Sequence, residues 1–478
     1  MVRPTGRKRT KTLSTTLAAA CLIFGVQPSL ADDQLAALLR EPVLYTGLEA
    51  ESADPAADPL AGNAPDVITG NPAAENVLPG TGLAGRLLHI PEKTGLRLGG
   101  LWLADTNGLL SGGKQPGKWS WNSALIIGAN LDAEKLLAWK GASFGVQFLR
   151  FDGQDTNGQA GSLQGYNSLP GPKPLDRSEL FQLWYRQALF DDKLIFRIGK
   201  VVPTYDFNNV ARPVPTHDET LDIPAVTGLL YTPVFVNPTL LGAIGGYYNS
   251  VYGVTVSLAP TKNSYLSYGV YDGNVARGIQ TGLTGPHFNG YYFNILETGV
   301  DWVAAGKYPG QLGLGGWYQT GVLHTKHPKI SQDGTGGFYL FGGQRIWASS
   351  MEPSIPDGKG KTLIPVAPSG PASISAFFQF GVNNAETLPV KDYFGAGLTG
   401  FRLIPFRPDD SIGAGMAWSW LNTKLFNRPS ELMFQAYYQA HLYAGTFFQP
   451  AISYIPTPGL NSSFGSAWAV TFRFTFLF

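Results

Sequence analysis

The sequence predicts an all-β fold, a transmembrane antiparallel β-barrel of about sixteen strands with long outer loops and short periplasmic turns. Three observations predict it. The first is the stretch Trp468 to Phe478, W-A-V-T-F-R-F-T-F-L-F. Successive side chains of a strand point to opposite faces, so Trp468, Val470, Phe472, Phe474, Phe476 and Phe478 form one aromatic, apolar face. Ala469, Thr471, Arg473, Thr475 and Leu477 form the other, which carries hydroxyls and a charge. An outer-membrane strand needs that division, with lipid on one side and a watery lumen on the other. The second observation is composition. Only 14% of the 478 residues are charged, against roughly a quarter in soluble proteins, while 59 are Gly, 28 Phe, 21 Tyr and 11 Trp. The mean hydropathy of -0.03 is too polar for a bundle of membrane helices. The third is the way short and long connections alternate along the chain.

Residues 1–31 read as a secretory signal, with Arg3, Arg7, Lys8, Arg9 and Lys11 before an apolar run from Leu13 to Val26. That run is shorter than the roughly 18 residues of a spanning helix. Ser29-Leu30-Ala31 supplies small residues for cleavage. Cys21, the only cysteine, lies inside the signal, so the mature chain is expected to hold neither disulfides nor thiolate metal sites. Residues 32–93 are expected to be a periplasmic or plug segment, rich in Ala and Pro, with one short helical stretch at Gln34 to Arg40.

Residues 94–478 are expected to be the barrel. Leu96, Leu98 and Trp102 alternate against Arg97, and Phe144, Val146 and Phe148 against Ser143 and Gln147. Phe181, Leu183 and Tyr185 alternate against Gln182, Trp184 and Arg186, and Leu194, Phe196 and Ile198 against Lys193 and Arg197. Further along, Val254, Val256 and Leu258 face away from Thr255 and Ser257, and Ile374, Ala376, Phe378 and Phe380 from Ser375 and Gln379. Met416, Trp418 and Trp420 oppose Gly415 and Ser419, and Leu432, Phe434, Ala436 and Tyr438 oppose Glu431, Gln435 and Gln439. With the first strand running outward, short inner turns fall at Phe190 to Lys193, Ala259 to Asn263, Ala304 to Gly310, Pro405 to Asp410 and Tyr443 to Thr446. Outer loops fall at Asp152 to Ser178, Val202 to Ser250, Gly273 to Asn289, Gly321 to Thr335 and Thr457 to Ser466. One inner turn, Ala348 to Pro371, is long and Pro-rich.

A search for catalytic groups finds no phosphate loop, HExxH or GxSxG, so neither an enzyme nor a cofactor is expected. His324 and His327 lie together in a predicted outer loop and read as solvated, and Asp409-Asp410 read as part of a turn. No metal site is expected. The formal net charge of +1 gives no argument for nucleic acid.

What remains is the inward face. Arg97, Gln182, Trp184, Arg186, Arg197, Glu297, Asp301, Arg345, Glu431, Gln435 and Arg473 are expected to line the pore and touch solute. Opposed Arg and carboxylate groups would set a transverse field and fixed hydrogen-bond partners. The loop from Val202 to Ser250 holds Asp206, Arg212, Asp218 and Glu219, and folding inward it would form the constriction.

The segment from Ser178 to Gln187, then Phe190 to Leu194 and Arg197 to Lys200, resembles the carbohydrate-selective porins of Gram-negative outer membranes, the OprB type. The resemblance continues in order through Tyr268 to Asn274, Tyr308 to Leu312, Trp317-Tyr318, Gly343-Gln344 and Arg407-Pro408-Asp409-Asp410 with Gly413. It ends in Glu431 to Tyr438, Gln449-Pro450 and Pro458-Gly459, covering residues 95–478. It implies facilitated diffusion of monosaccharides, glucose in particular, across the outer membrane. The expected partners are outer-membrane lipid, small sugars and the barrel-assembly machinery that reads the C-terminal Phe478 strand, with the chain a monomer or a trimer. A general or anion-preferring diffusion porin is the alternative within transport. A barrel anchor in envelope assembly is the alternative outside it.

Overall fold

The computed structural model describes residues 83–478 apart from residues 170, 173–174, 209–226, 247, 262, 280–284, 307, 350–371, 408 and 444. The expected signal, the stretch from Asp32 to Gly82, Arg212, Asp218, Glu219 and nearly all of the Pro-rich insertion lie outside the described residues.

Sixteen antiparallel strands form one closed barrel in which each strand pairs with its neighbours in sequence and the first pairs with the last. They are β1 Leu96–Ser111, β2 Trp119–Asp132, β3 Ala142–Gly153, β4 Arg177–Leu189, β5 Leu194–Val201 and β6 Val251–Thr261. The next are β7 Ser264–Asp272, β8 Tyr292–Ala304, β9 Tyr308–His324, β10 Ser331–Ala348 and β11 Ser373–Asn383. The last are β12 Val390–Phe401, β13 Ser411–Leu421, β14 Ser430–Tyr443, β15 Thr446–Ile455 and β16 Ala467–Leu477. The seam is sealed by Gly100 and Phe478, whose amides and carbonyls exchange hydrogen bonds of 2.7 and 2.9 Å. Closure leaves no strand edge to face lipid, which is the condition for a sheet to cross a bilayer.

The alternation read in β16 holds residue by residue. Ala467, Ala469, Thr471, Arg473, Thr475 and Leu477 are buried inside, while Trp468 and Phe472 are exposed on the outer surface. The outer face carries two aromatic belts of the kind that sit at membrane interfaces. Trp418 stacks on Trp420 at 4.2 Å and Tyr454 on Trp468 at 4.5 Å toward the outer rim. Trp139, Phe144 and Tyr185 cluster toward the opposite rim, with ring separations of 5.1 to 5.9 Å.

The β4–β5, β6–β7, β8–β9 and β14–β15 ends share one rim with both ends of the barrel sequence, and the β3–β4, β5–β6 and β7–β8 ends share the other. The β2–β3 turn holds a short helix, Ala133–Leu137, whose first amides are capped by the Asp132 carboxylate at 3.0 and 3.3 Å. Two expectations are corrected. Gly321 to Thr335 is not a long loop. β9 and β10 run on as a hairpin past their neighbours, and Gly321 and Gly334, at φ +90° and +67°, absorb the kink with backbone angles that a side chain would strain. Phe181 does not sit on the apolar outer face with Leu183. Gln147 pairs with Gln182 but Phe148 pairs with Leu180, so Phe181 is the extra residue of a β-bulge. Its ring turns inward and packs in the apolar cluster that holds Leu149, Phe151, Val202 and Tyr205.

Candidate functional site: a lumen filled by its own loops

Two outer loops fold into the barrel. The first, residues 154–176, arises between β3 and β4 and reaches β1, β13 and β14 on the wall. The second, described over residues 202–208 and 227–250 apart from residue 247, arises between β5 and β6 and reaches β11, β13 and β14. They also bond to each other, Ser168 N–H to Leu230 carbonyl at 2.8 Å and Thr232 N–H to Gly165 carbonyl at 3.0 Å.

The inward face of the wall explains why. β7 to β14 turn Tyr271, Phe293, Trp317, Tyr339, Phe377, Tyr393 and Tyr437 toward the axis, all nearly inaccessible to water. Leu229, Leu230, Tyr231, Val234 and Leu240 of the second loop pack on them as one apolar cluster. Each such side chain contributes about 1.5–3 kcal/mol on burial, enough to hold a loop whose backbone must be ordered. Burial also pushes the Tyr166 and Tyr231 phenols of the loops well above their ordinary range, so both stay neutral.

Polar wall groups meet the loop backbone at defined points. Gln435 accepts from Leu230 N–H at 2.5 Å and donates to the Tyr166 carbonyl at 2.9 Å and to Ser453 at 2.8 Å. Asn237 donates to the Phe380 carbonyl at 3.0 Å, and Asn383 donates to the Thr239 carbonyl at 2.7 Å. Glu297 accepts from the Tyr265 and Tyr339 hydroxyls at 2.7 and 2.6 Å and from Asn208 N–H at 2.6 Å. Glu431 accepts from Leu163 N–H at 2.7 Å, Gly459 N–H at 2.9 Å and the Ser162 hydroxyl. Gln182 bonds to Gln147 and accepts from Val202 N–H at 3.3 Å.

The charged groups pair locally. Arg473 forks onto Asp105 with bonds of 2.8 and 2.7 Å, and Asn167 of the first loop adds a third at 2.7 Å. Arg197 is ion-paired to Asp206 at the start of the second loop, with Trp184 5.8 Å beneath its guanidinium and Arg186 as its cross-strand neighbour. These two ion pairs contribute little to a transverse field, while Glu297 and Glu431 are met by hydroxyls and backbone amides.

Of the residues expected to touch solute, Gln182, Glu297, Glu431 and Gln435 face inward but are covered, at 0 to 2% exposure. They anchor the loops instead. Arg97 and Asp301 keep the inner side of β1 and β8 toward the periplasmic rim and are half-buried. Arg345 lies toward the same rim on β10, with Ser375 of β11 opposite it. There the buried groups Gln311 Nε2, Ser373 Oγ and Ser375 Oγ are not hydrogen-bonded to other protein atoms among the described residues, nor is Gln379 Nε2 in the middle of β11. Sequence reading missed Asp105, Asn107, Asn167, Gln311 and Ser373. Asp105 and Asn107 were open to it, because they continue the inward parity of Leu101 and Leu103.

Asp409-Asp410 form a turn lock rather than an acid–base pair. Asp410 accepts from Arg407 Nε at 2.7 Å, His441 N–H at 2.9 Å and the Tyr438 hydroxyl. The bond to Asp410 holds the Arg407 guanidinium above its ordinary value. Asp409 lies 3.2 Å from His441 Nδ1.

The family model for the carbohydrate-selective porin, OprB family, matches residues 123–478. The chain belongs to that family. It is a sugar-selective porin of the outer membrane, and the belts and the apolar outer face are what it presents to lipid. Porin B of Pseudomonas aeruginosa is 21% identical over 378 residues, 70% of this chain and 76% of that protein. The high-pH structure of Pseudomonas putida OprB matches at a TM-score of 0.67 with 18% identity, covering 84% of this chain and 99% of the other. The low-pH structure of the same protein gives a TM-score of 0.51 with 15% identity, covering 83% and 96%. Both structures share the barrel fold.

Proposed function

We propose that this porin carries monosaccharides, glucose among them, by facilitated diffusion along the part of the lumen its two inner loops leave free. One observation carries the reading: the loops are packed and hydrogen-bonded into the barrel, so any path past them is narrow. Toward the periplasmic end, Arg97 and Asp301 keep partly exposed polar groups on the inner side that can exchange hydrogen bonds with a sugar that has shed part of its water. Local pairing of Arg473 with Asp105 and Arg197 with Asp206 leaves little fixed field from these groups, which suits an uncharged solute. Such passage needs no chemistry and no energy source. The aromatic strand ending at Phe478 is proposed as the segment the assembly machinery reads.

The test is permeation into liposomes carrying the refolded full chain, comparing glucose, a disaccharide, an uncharged amino acid and a small anion. Glucose should lead. Equal rates for all solutes below one size would sink sugar selectivity in favour of general diffusion, and a lead for the anion would favour the anion-preferring reading.

A further inference from the structure

Gln435 joins the two inner loops to the wall, and Glu431 joins the first of them and the β15–β16 connection to it. Glu431 stands at the outer end of β14, fully buried. Ser162 and Leu163 belong to the first inner loop, and Gly459 belongs to the β15–β16 connection. Among the described residues, its charge is met by hydrogen-bond donors and not by a cation. A carboxylate taken out of water on those terms is costly unless its donors are fixed, so the site binds loop order to charge burial. Around it Gln164 donates to the Ala417 carbonyl at 3.1 Å and accepts from the Ser419 hydroxyl at 2.7 Å. The first loop holds the second through Gly165 and Ser168.

We propose that Glu431 is the positioning residue that sets the size cut-off of the pore, latching the first inner loop and the β15–β16 connection to the wall through Ser162, Leu163 and Gly459, and through the first loop the second. The proposal rests on the loops being the constriction of the sugar path. Its chemistry favours a carboxylate. One oxygen accepts two backbone amides and the other accepts a hydroxyl. A glutamine could keep the two amides only by turning its N–H to the Ser162 hydroxyl, which would have to accept instead of donate, and the charge that strengthens all three bonds would be gone. It also requires a glycine opposite, since a Cβ on Gly459 would come within 2.3 Å of Glu431 Oε2.

The experiment uses the full chain in liposomes, wild type beside Glu431→Gln, Gly459→Ala and Ser162→Ala, with a series of uncharged glucose oligomers as probes. Barrel folding is checked by resistance of the band shift on gels to heating. In Glu431→Gln the ratio of trisaccharide to glucose permeation is expected to rise roughly tenfold, the scale of losing a charge-assisted buried bond. Gly459→Ala should move the ratio the same way, and Ser162→Ala should move it less. A role confined to stability would lower the melting point and leave the size series unchanged. A folded Glu431→Gln barrel with the wild-type ratio would overturn the proposal. If that variant does not fold, an unchanged ratio in Gly459→Ala overturns it. Loss of glucose preference over an equally small non-sugar in the wild type would count against the proposed function alone, because the size series reads the latch separately.

Discussion

Arg473 and Asp105 face each other across the seam where the last strand meets the first, joined by two parallel bonds of 2.8 and 2.7 Å and shielded almost wholly from water. Their register makes them direct cross-strand partners. The loop residue Asn167 bonds to the same carboxylate, so one ion pair links barrel closure to lumen filling.

Arg473→Met is expected to strand a buried carboxylate and destabilise the barrel by about 3–5 kcal/mol. Replacing both partners, Arg473→Met with Asp105→Leu, should recover much of that, because the buried charge is gone. Urea unfolding from vesicles reads both. A single variant as stable as the double would show that the pair is not what holds the seam.

Asp206→Asn removes the carboxylate that Arg197 and Thr255 share, at 2.8 Å from the Thr255 hydroxyl. Arg197 then lies beside Arg186 without its counter-charge. The start of the second loop should loosen, seen as faster proteolysis of the loop in intact liposomes. Unchanged cleavage would leave the pair without a holding role.

Tyr231 is fully buried in the apolar cluster inside the lumen, and its hydroxyl lies 3.4 Å from the Met416 carbonyl. Tyr231→Ala should cost about 3–5 kcal/mol and raise single-channel conductance as the loop lifts. Tyr231→Phe gives up only a long bond and is expected within about 1 kcal/mol of wild type. Equal conductance in all three proteins would refute packing as the restraint.

Asp410→Ala leaves Arg407, Tyr438 and the His441 amide without their shared acceptor. A loss of about 1–3 kcal/mol is expected, and the yield of folded barrel from urea should fall. The pore should be unchanged, since the lock lies at the periplasmic turn before β13.

On the outer face, Phe434→Arg should cost about 2–4 kcal/mol, the cost of a cation on the lipid side of a barrel. Phe434 is exposed there while its neighbour Gln435 is buried inside. Folding into vesicles of a short-chain lipid measures it.

The wall was legible because period-two alternation records which side each residue faces, and Thr471, Arg473 and Thr475 stand inside as that rule requires. Phe181 escaped it because a bulge shifts parity by one residue, and nothing in the local sequence marks where the extra residue falls. Facing inward was read as touching water, and for Glu431 and Gln435 that step failed. Their partners Leu163, Gly459 and Leu230 come from distant loops whose apolar residues carry no period. Tyr339 and Trp317 offered a hint, since large rings turned toward a lumen ask for something to pack against.

The hairpin of β9 and β10 is the longest in the barrel, at 17 and 18 residues. At about 3.3 Å per residue it measures roughly 55 Å along the strand. Tilted by about 40°, it rises roughly 40 Å, well beyond an apolar band of about 25 Å. β8 stops pairing with it at Gln319 and β11 at Gly337, and beyond them the two arms pair only with each other. The flanking loops lean on this mast, with Thr320 bonded to the Gly290 carbonyl and Gln332 to the Glu386 amide, each at 2.6 Å. Its tip, residues 325–330, is thus carried through the headgroup layer toward the cell's surroundings, where a fluorophore or epitope could ride without disturbing the channel below.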